Sequence, residues 1–247
     1  MLKKKKPKSD LKSRLKNKVE KLKKKGGDGQ LLFVKEGTIR YRIMNPGEDN
    51  DFSADVIQFY LGPEIKGVIS PASIGKPCAL MEKYETLKRS KKDSDKELAK
   101  RMVPKTKFLI PVVPYKDLKG KEVDEQNAGR LLMVTKGITE SAIDLYLDDD
   151  WGDMTDPING YDVKIKREGS TMTDTEYSLS PCPRSKAPKG FGKPIDLPKM
   201  VEDIIPSYEE TEEYLAKFLD STSDDDGDDD RKSSKKKLLK KKKKKDL

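Results

Sequence analysis

The chain has 247 residues, 39% charged and 33% apolar, with two cysteines and no histidine. Without imidazole it has no neutral base titrating near pH 7 for a Ser or Cys nucleophile, which leaves carboxylate-metal chemistry as the open enzymatic route. The formal charge of +9 sits in the ends: residues 1–25 carry a surplus of +11 and residues 231–247 a surplus of +10, so the stretch between them carries −12. Such a chain reads as a mildly acidic core with polyelectrolyte arms that regulate contact with a polyanion or with other copies. No apolar run approaches the ~20 residues needed to span a bilayer, and no signal-peptide core follows the basic start, so a soluble protein is expected. Cys78 and Cys182 as the only cysteines point to a reducing cytosol.

The first arm, residues 1–27, has Leu11, Leu15, Val19 and Leu22 at helical spacing, Ser9 and Asp10 as capping residues and Gly26-Gly27 as a stop. It reads either as a solvated lysine tail or as a strap that docks on a neighbour. From Leu31 the period becomes alternating. Strands are expected over Leu31–Lys35 and Thr38–Met44, joined by a tight turn at Glu36-Gly37, then over Asp51–Leu61 and Ile65–Ser70. In the second of these, Ile39, Tyr41 and Ile43 share one face and Arg40 and Arg42 the other. A helical insertion is expected near 77–102: one helix over Pro77–Lys88, and a second begun by a capping box of Ser94 and Glu97. Thr106–Tyr115 is apolar but holds Pro111, so an edge or bulged strand is expected there.

Gly129–Lys136 follows as a strand, Ile138–Leu147 as a helix, and Asp148–Asp156 as an acidic loop. Tyr161–Arg167 alternates, with Tyr161, Val163 and Ile165 against Asp162, Lys164 and Lys166, and Thr175–Ser180 closes the strand set. Five prolines from Pro181 to Pro198 predict a linker, placed at 183–205. An amphipathic helix is expected over 206–219, with Ser207 and Glu210 as a capping box, and an acidic, then lysine-rich disordered tail over 220–247. Residues 28–182 then form one core, and short strands with helices between them predict a mainly β fold of the small-barrel type.

Basic residues on or beside these strands are Arg40, Arg42, Lys105, Lys107, Arg130, Lys136, Lys164, Lys166 and Arg167, interleaved with Tyr41, Tyr60, Phe108, Tyr115, Tyr161 and Tyr177. Cations that track a backbone, with aromatic faces for bases, are what a barrel needs to hold single-stranded nucleic acid. Each aromatic alone reads more readily as core than as a stacking platform; the set carries the inference. The acidic loop does not fit the calcium-loop pattern, because its glycine and distal Glu are misplaced. No phosphate-binding loop motif is present, and no cofactor or metal site is expected.

The segments Glu36-Gly37-Thr38-Ile39-Arg40-Tyr41-Arg42-Ile43 and Gly75-Lys76-Pro77-Cys78-Ala79-Leu80 resemble the single-stranded DNA-binding (helix-destabilising) proteins of T-even-type bacteriophages. So do Lys105-Thr106-Lys107-Phe108 with Val112-Val113, Gly129-Arg130-Leu131-Leu132 running to Gly137, and Asp156-Pro157 leading into Gly160-Tyr161-Asp162-Val163. The resemblance spans residues 31–180 in order, and 1–20 loosely. It implies an OB-fold, a five-stranded Greek-key barrel with inserted helices. It also implies a basic N-terminal arm for cooperative self-association along DNA, and a C-terminal region that contacts replication and recombination proteins. By the resemblance Arg42 touches the DNA backbone and Phe108 stacks on a base. Leu109 and Val134 stand where members of that family carry aromatics. Only Cys78 remains of the ligands for the family's structural zinc, so zinc is not carried over.

The expected function is therefore non-catalytic, sequence-tolerant coating of single-stranded DNA in phage replication, recombination and repair, in the cytoplasm of an infected bacterium. The alternatives are a replication or recombination adaptor acting through its charged tails, and a carboxylate-metal nuclease.

Overall fold

The structure, a computed structural model, describes residues 31–45, 51–63, 65, 67–115, 129–169, 174–188, 191 and 195–223. The expectations for the basic arm at 1–27 and for the tail beyond Ser223 lie outside these residues. The described chain divides into two compact units, one reaching to Ala54 and continuing over Phe108–Ile204, the other spanning Asp55–Lys107 and resuming at Ile205. The strand set is mixed and mainly antiparallel: β1 (Leu31–Phe33), β2 (Gly37–Ile43), β3 (Ala54–Tyr60), β4 (Gly67–Ile69), β5 (Lys105–Pro114), β6 (Arg130–Val134), β7 (Tyr161–Glu168) and β8 (Glu176–Arg184). Their order is β1-β6-β5-β2-β7-β8, with β3 and β4 off this path. The path is open. β1 and β8 are its ends, so among the described residues the sheet does not close into the expected barrel.

In the first unit, β2 is antiparallel to both β5 and β7, so both its edges are taken. The expected hairpin between the first two strands is therefore not formed; the three residues of β1 pair in parallel with β6 instead, Leu31 opposite Leu131. Gly37, with φ at +95°, makes the turn that separates them. Pro111 lies inside the sheet, opposite Leu131 on β6. On its other side the Met44 amide donates to the Pro111 carbonyl at 2.8 Å, but proline has no N–H to return the bond, and the β2–β5 ladder ends there.

One face of this sheet buries Tyr41, Ile43, Ile110, Val112, Leu132, Val134, Val163 and Ile165. Helix α3 (Lys136–Leu147) covers that cluster through Ile138 and Ala142. The acidic loop after α3 is built of turns closed by its own carboxylates. Asp148 accepts from the amides of Asp150 and Trp151, Asp153 from that of Thr155, and Asp156 from those of Ile158 and Asn159. Among the described residues no group of three or more His, Cys, Asp or Glu is placed to hold a metal ion.

Proline does not keep the segment after Ser180 from having structure. β8 runs through Pro181 and Pro183 to Arg184, and α4 (Leu197–Ile204) begins inside the stretch read as linker.

The second unit packs the β3–β4 pair, α1 (Ala79–Arg89), α2 (Asp93–Arg101) and α5 (Tyr208–Ser223) around Phe59, Leu61, Val68, Cys78, Leu80, Leu87, Met102 and Phe218. Cys78 is a packing residue in this cluster and not part of a ligand set. The residues present do not fit zinc; α5 supplies the clamp. Helix α1 has no side-chain cap of its own, but the Ala79 amide donates to Thr211 Oγ1 of α5 at 3.2 Å. The Thr211 hydroxyl in turn donates to the Tyr208 carbonyl at 2.7 Å, and Tyr208 donates its phenol to Glu82 at 3.0 Å. At the start of α5 the expected capping box forms: the Ser207 amide donates to Glu210, and the Glu210 amide to Ser207. The expected box at Ser94 does not, because α2 begins at Asp93 and takes Ser94 into its first turn.

Thr211 is fully buried, so replacing it by the isosteric Val orphans the Ala79 N–H. Thr211→Val is expected to lower the stability of this unit by about 1–3 kcal/mol, and Thr211→Ser to recover most of it. Urea unfolding, with hydrogen exchange at the Ala79 amide, measures both.

Candidate nucleic-acid interface

The cross-strand register sorts the basic and aromatic residues by face. Arg40 is paired with Lys164 and Lys164 with Ser180; Thr38 is paired with Lys166 and Lys166 with Ser178. Cross-strand partners share a face, so β2, β7 and β8 carry two parallel rows, Arg40–Lys164–Ser180 and Thr38–Lys166–Ser178, on the side away from the core. All six side chains are exposed. Tyr115, just past β5, joins this face: the Arg40 guanidinium lies 4.9 Å from the centre of its ring. Lys166 also pairs with Glu168 at 2.8 Å.

Beneath the rows is a buried charge network. Asp162 has no exposed surface and accepts from Arg40, from Arg42 Nε at 2.6 Å and from the Tyr115 hydroxyl at 2.8 Å. Burial, then the hydrogen bond to Asp162, pushes the Tyr115 phenol up to about 12, so it stays protonated as a donor across the physiological range.

Arg42, expected to touch the DNA backbone, is instead fully buried. Its Nη2 donates to the Ser185 carbonyl at 2.5 Å, its Nη1 lies 3.5 Å from the carbonyls of Met154 and Asp156, and its guanidinium sits 5.7 Å from the ring of Phe191. The stretch after β8 covers it: Phe191 packs with Met44 and Val113, and the Ala187 amide donates to the Pro157 carbonyl. Gly160 makes the approach possible, since a Cβ there would lie 2.8 Å from Arg42 Nη1 and closer still to two carbonyl oxygens.

Other expected contacts are dispersed. Phe108 and Arg130 are in phase with the core face, opposite Val134 and Val112, and Phe108 packs on the core cluster. Tyr177 is opposite Arg167 and in phase with Leu179 and Ile165, so it also belongs to the core-facing side, at the end of the sheet. Lys136 is on α3, paired with Glu140 at 3.3 Å. Tyr60, 53% exposed, and Lys105 and Lys107 belong to the second unit. Burial, reinforced by Lys105, lowers the Lys107 ammonium below its usual range. Arg40, Tyr115, Lys164 and Lys166 are thus the sequence-expected residues that the first unit brings together. Sequence reading passed over Asp162, although one carboxylate on the lysine face of an alternating strand was a visible signal.

Removing Arg42 leaves a buried carboxylate short of its innermost partner. Arg42→Ala is expected to cost about 3 kcal/mol of stability or more. Arg40, whose side chain is 44% exposed, is expected to cost under ~1 kcal/mol on replacement by Ala. Urea unfolding of the two full-length variants separates them.

A family model described as "gp32 DNA binding protein like" matches residues 52–224. No curated protein matches the chain. The matched span holds Tyr115, Asp162, Lys164 and Lys166 and opens after β2, so Arg40 and Arg42 precede it. Covering well over half of the sequence, that match places the chain in the gp32-like family of DNA-binding proteins.

Proposed function

We propose that this protein is a non-catalytic, sequence-tolerant single-stranded DNA-binding protein. The observation that carries the reading is the exposed pair of rows over β2, β7 and β8, where Arg40, Lys164 and Lys166 stand beside Tyr115 on a face turned away from the core. Lysines there neutralise successive phosphates, while the planar groups accept bases of any identity. The open sheet serves as the binding platform of an OB-type fold. Whatever binds single strands but not duplex draws the duplex open by mass action, so no covalent chemistry is needed to remove hairpins. The lysine-rich arm at 1–27 links copies along the strand, and the C-terminal region meets replication and recombination proteins in the cytoplasm of a phage-infected bacterium.

Fluorescence anisotropy with labelled oligo-dT at two salt concentrations tests this. Binding without Mg²⁺ and without cleavage is expected, and Lys164→Ala and Lys166→Ala should each reduce the magnitude of the log-affinity against log-salt slope by about 0.7. Absence of binding would leave the adaptor reading, and Mg²⁺-dependent cleavage products the nuclease.

The tail gives a second test. Asp224–Asp226 and Asp228–Asp230 resemble a short run of phosphates and compete for the basic rows, unless the lysines that follow pair with them. Deleting 231–247 is expected to weaken DNA binding, through lost positive charge and a freed acidic run. Deleting 220–247 is expected to restore much of that loss. A larger loss in the longer deletion would show the lysine run to be a plain phosphate contact.

A further inference from the structure

We infer that Arg40 works as a stacking plate for an unpaired nucleobase and not as a phosphate contact, with Asp162 as the residue that positions it. The inference rests on the single-stranded DNA reading and sharpens it. A guanidinium binds phosphate through N–H donors in its own plane, usually two at once, and binds a nucleobase through its flat face. In Arg40 one of the two in-plane edges is already occupied: both Nε and Nη2 are turned to Asp162. Tyr115 flanks the same guanidinium, the centre of its ring lying 4.9 Å away. Among the described residues what remains is the guanidinium face turned from Tyr115 and the Nη1 end, on a side chain that is 44% exposed. A base stacked there would be the third layer over Tyr115 and Arg40, held by dispersion and by the cation's attraction for a π system.

Asp162 is a fixed anchor for Arg40. It is fixed from below by Arg42 Nε at 2.6 Å and from the side by the Tyr115 hydroxyl at 2.8 Å. Its charge also offsets that of Arg40, which lowers the attraction for phosphate but not the stacking. The phosphate contacts fall to the lysines of the rows, and Lys164 is the direct cross-strand neighbour of Arg40. One short stretch of sheet therefore divides the two tasks, a base on Arg40 and its phosphates on Lys164 and Lys166. Tyr115 acts as the support of the plate, a role different from that of an independent stacking ring.

The test compares the full-length protein on oligo-dT and on an oligonucleotide of the same length made only of abasic nucleotides, which keeps the phosphates and removes the bases. Arg40→Lys retains the charge and loses the plane. It is expected to weaken oligo-dT binding about as much as Arg40→Ala does, within the 5- to 150-fold that the loss of one stacked base corresponds to, ~1–3 kcal/mol. On the abasic strand Arg40→Lys is expected to bind like the wild type. Tyr115→Leu should show the same loss on oligo-dT, and the double variant Arg40→Lys/Tyr115→Leu little more than either alone. Asp162→Asn frees the Arg40 edge, so a steeper salt dependence on the abasic strand is expected. Should that variant fail to fold around Arg42, the Arg40–Tyr115 pair still decides.

Wild-type-like oligo-dT binding by Arg40→Lys, with Arg40→Ala losing affinity equally on both strands, would make Arg40 a phosphate contact and overturn the inference. Additive losses in the double variant would overturn the shared plate. If the wild type binds neither strand, the single-stranded DNA reading itself fails, which is a separate result.

Discussion

The buried pair between Arg42 and Asp162 organises the first unit. A charge in the interior is tolerated only when every direction around it is filled by an opposite charge or a dipole, and that requirement draws four segments together. β2 brings Arg42 and Arg40; β7 brings Asp162; the stretch after β8 brings the Ser185 carbonyl; the turns before β7 bring the carbonyls of Met154 and Asp156. Two apolar side chains of similar volume would be no less stable, but they would fix neither the direction of Arg40 nor that of Tyr115. The network converts an interior electrostatic constraint into a defined surface.

Much of this was legible in the sequence, and the failures have identifiable causes. Alternation in β2 and β7 placed Arg40, Lys164 and Lys166 on the polar face, as the register has them. Alternation names a face, however, and does not say whether anything covers it; Arg42 has the phase of an exposed residue and lies under the stretch that follows β8. That stretch reads as linker because of its prolines. Yet β8 ends the strand path, and on an edge strand proline loses no ladder bond. Phe108 could not be phased at all, since Leu109, Ile110, Val112 and Val113 are apolar on both parities and both parities are buried. The missing hairpin is a matter of competition: a three-residue strand lost β2 to two longer partners.

The second unit makes the complementary case. Its inserted helices stand where the resemblance would have placed a metal-bound module, and the chain stabilises them with ordinary means. Phe218 and its neighbours fill the apolar cluster, and a hydroxyl from α5 caps the α1 terminus. A threonine that caps a helix 132 residues away cannot be seen in a sequence window, because the acceptor and donor share no local pattern. The capping box at Ser207 was visible, being three residues long in its logic.

That clamp has a consequence for how the protein is made. Helix α5 starts about a hundred residues after Lys107, where the earlier part of its unit ends. At ribosomal speeds of roughly 5–20 residues per second, the apolar faces of β3, α1 and α2 emerge some 5–20 seconds before the helix that completes them. During that interval Phe59, Leu80 and Met102 have no finished cluster to enter, and the nascent chain depends on the ribosome surface or a chaperone to stay out of aggregates. A message truncated between the codons for Ile204 and Phe218 yields a protein with every strand of its first unit and an unfinished second unit.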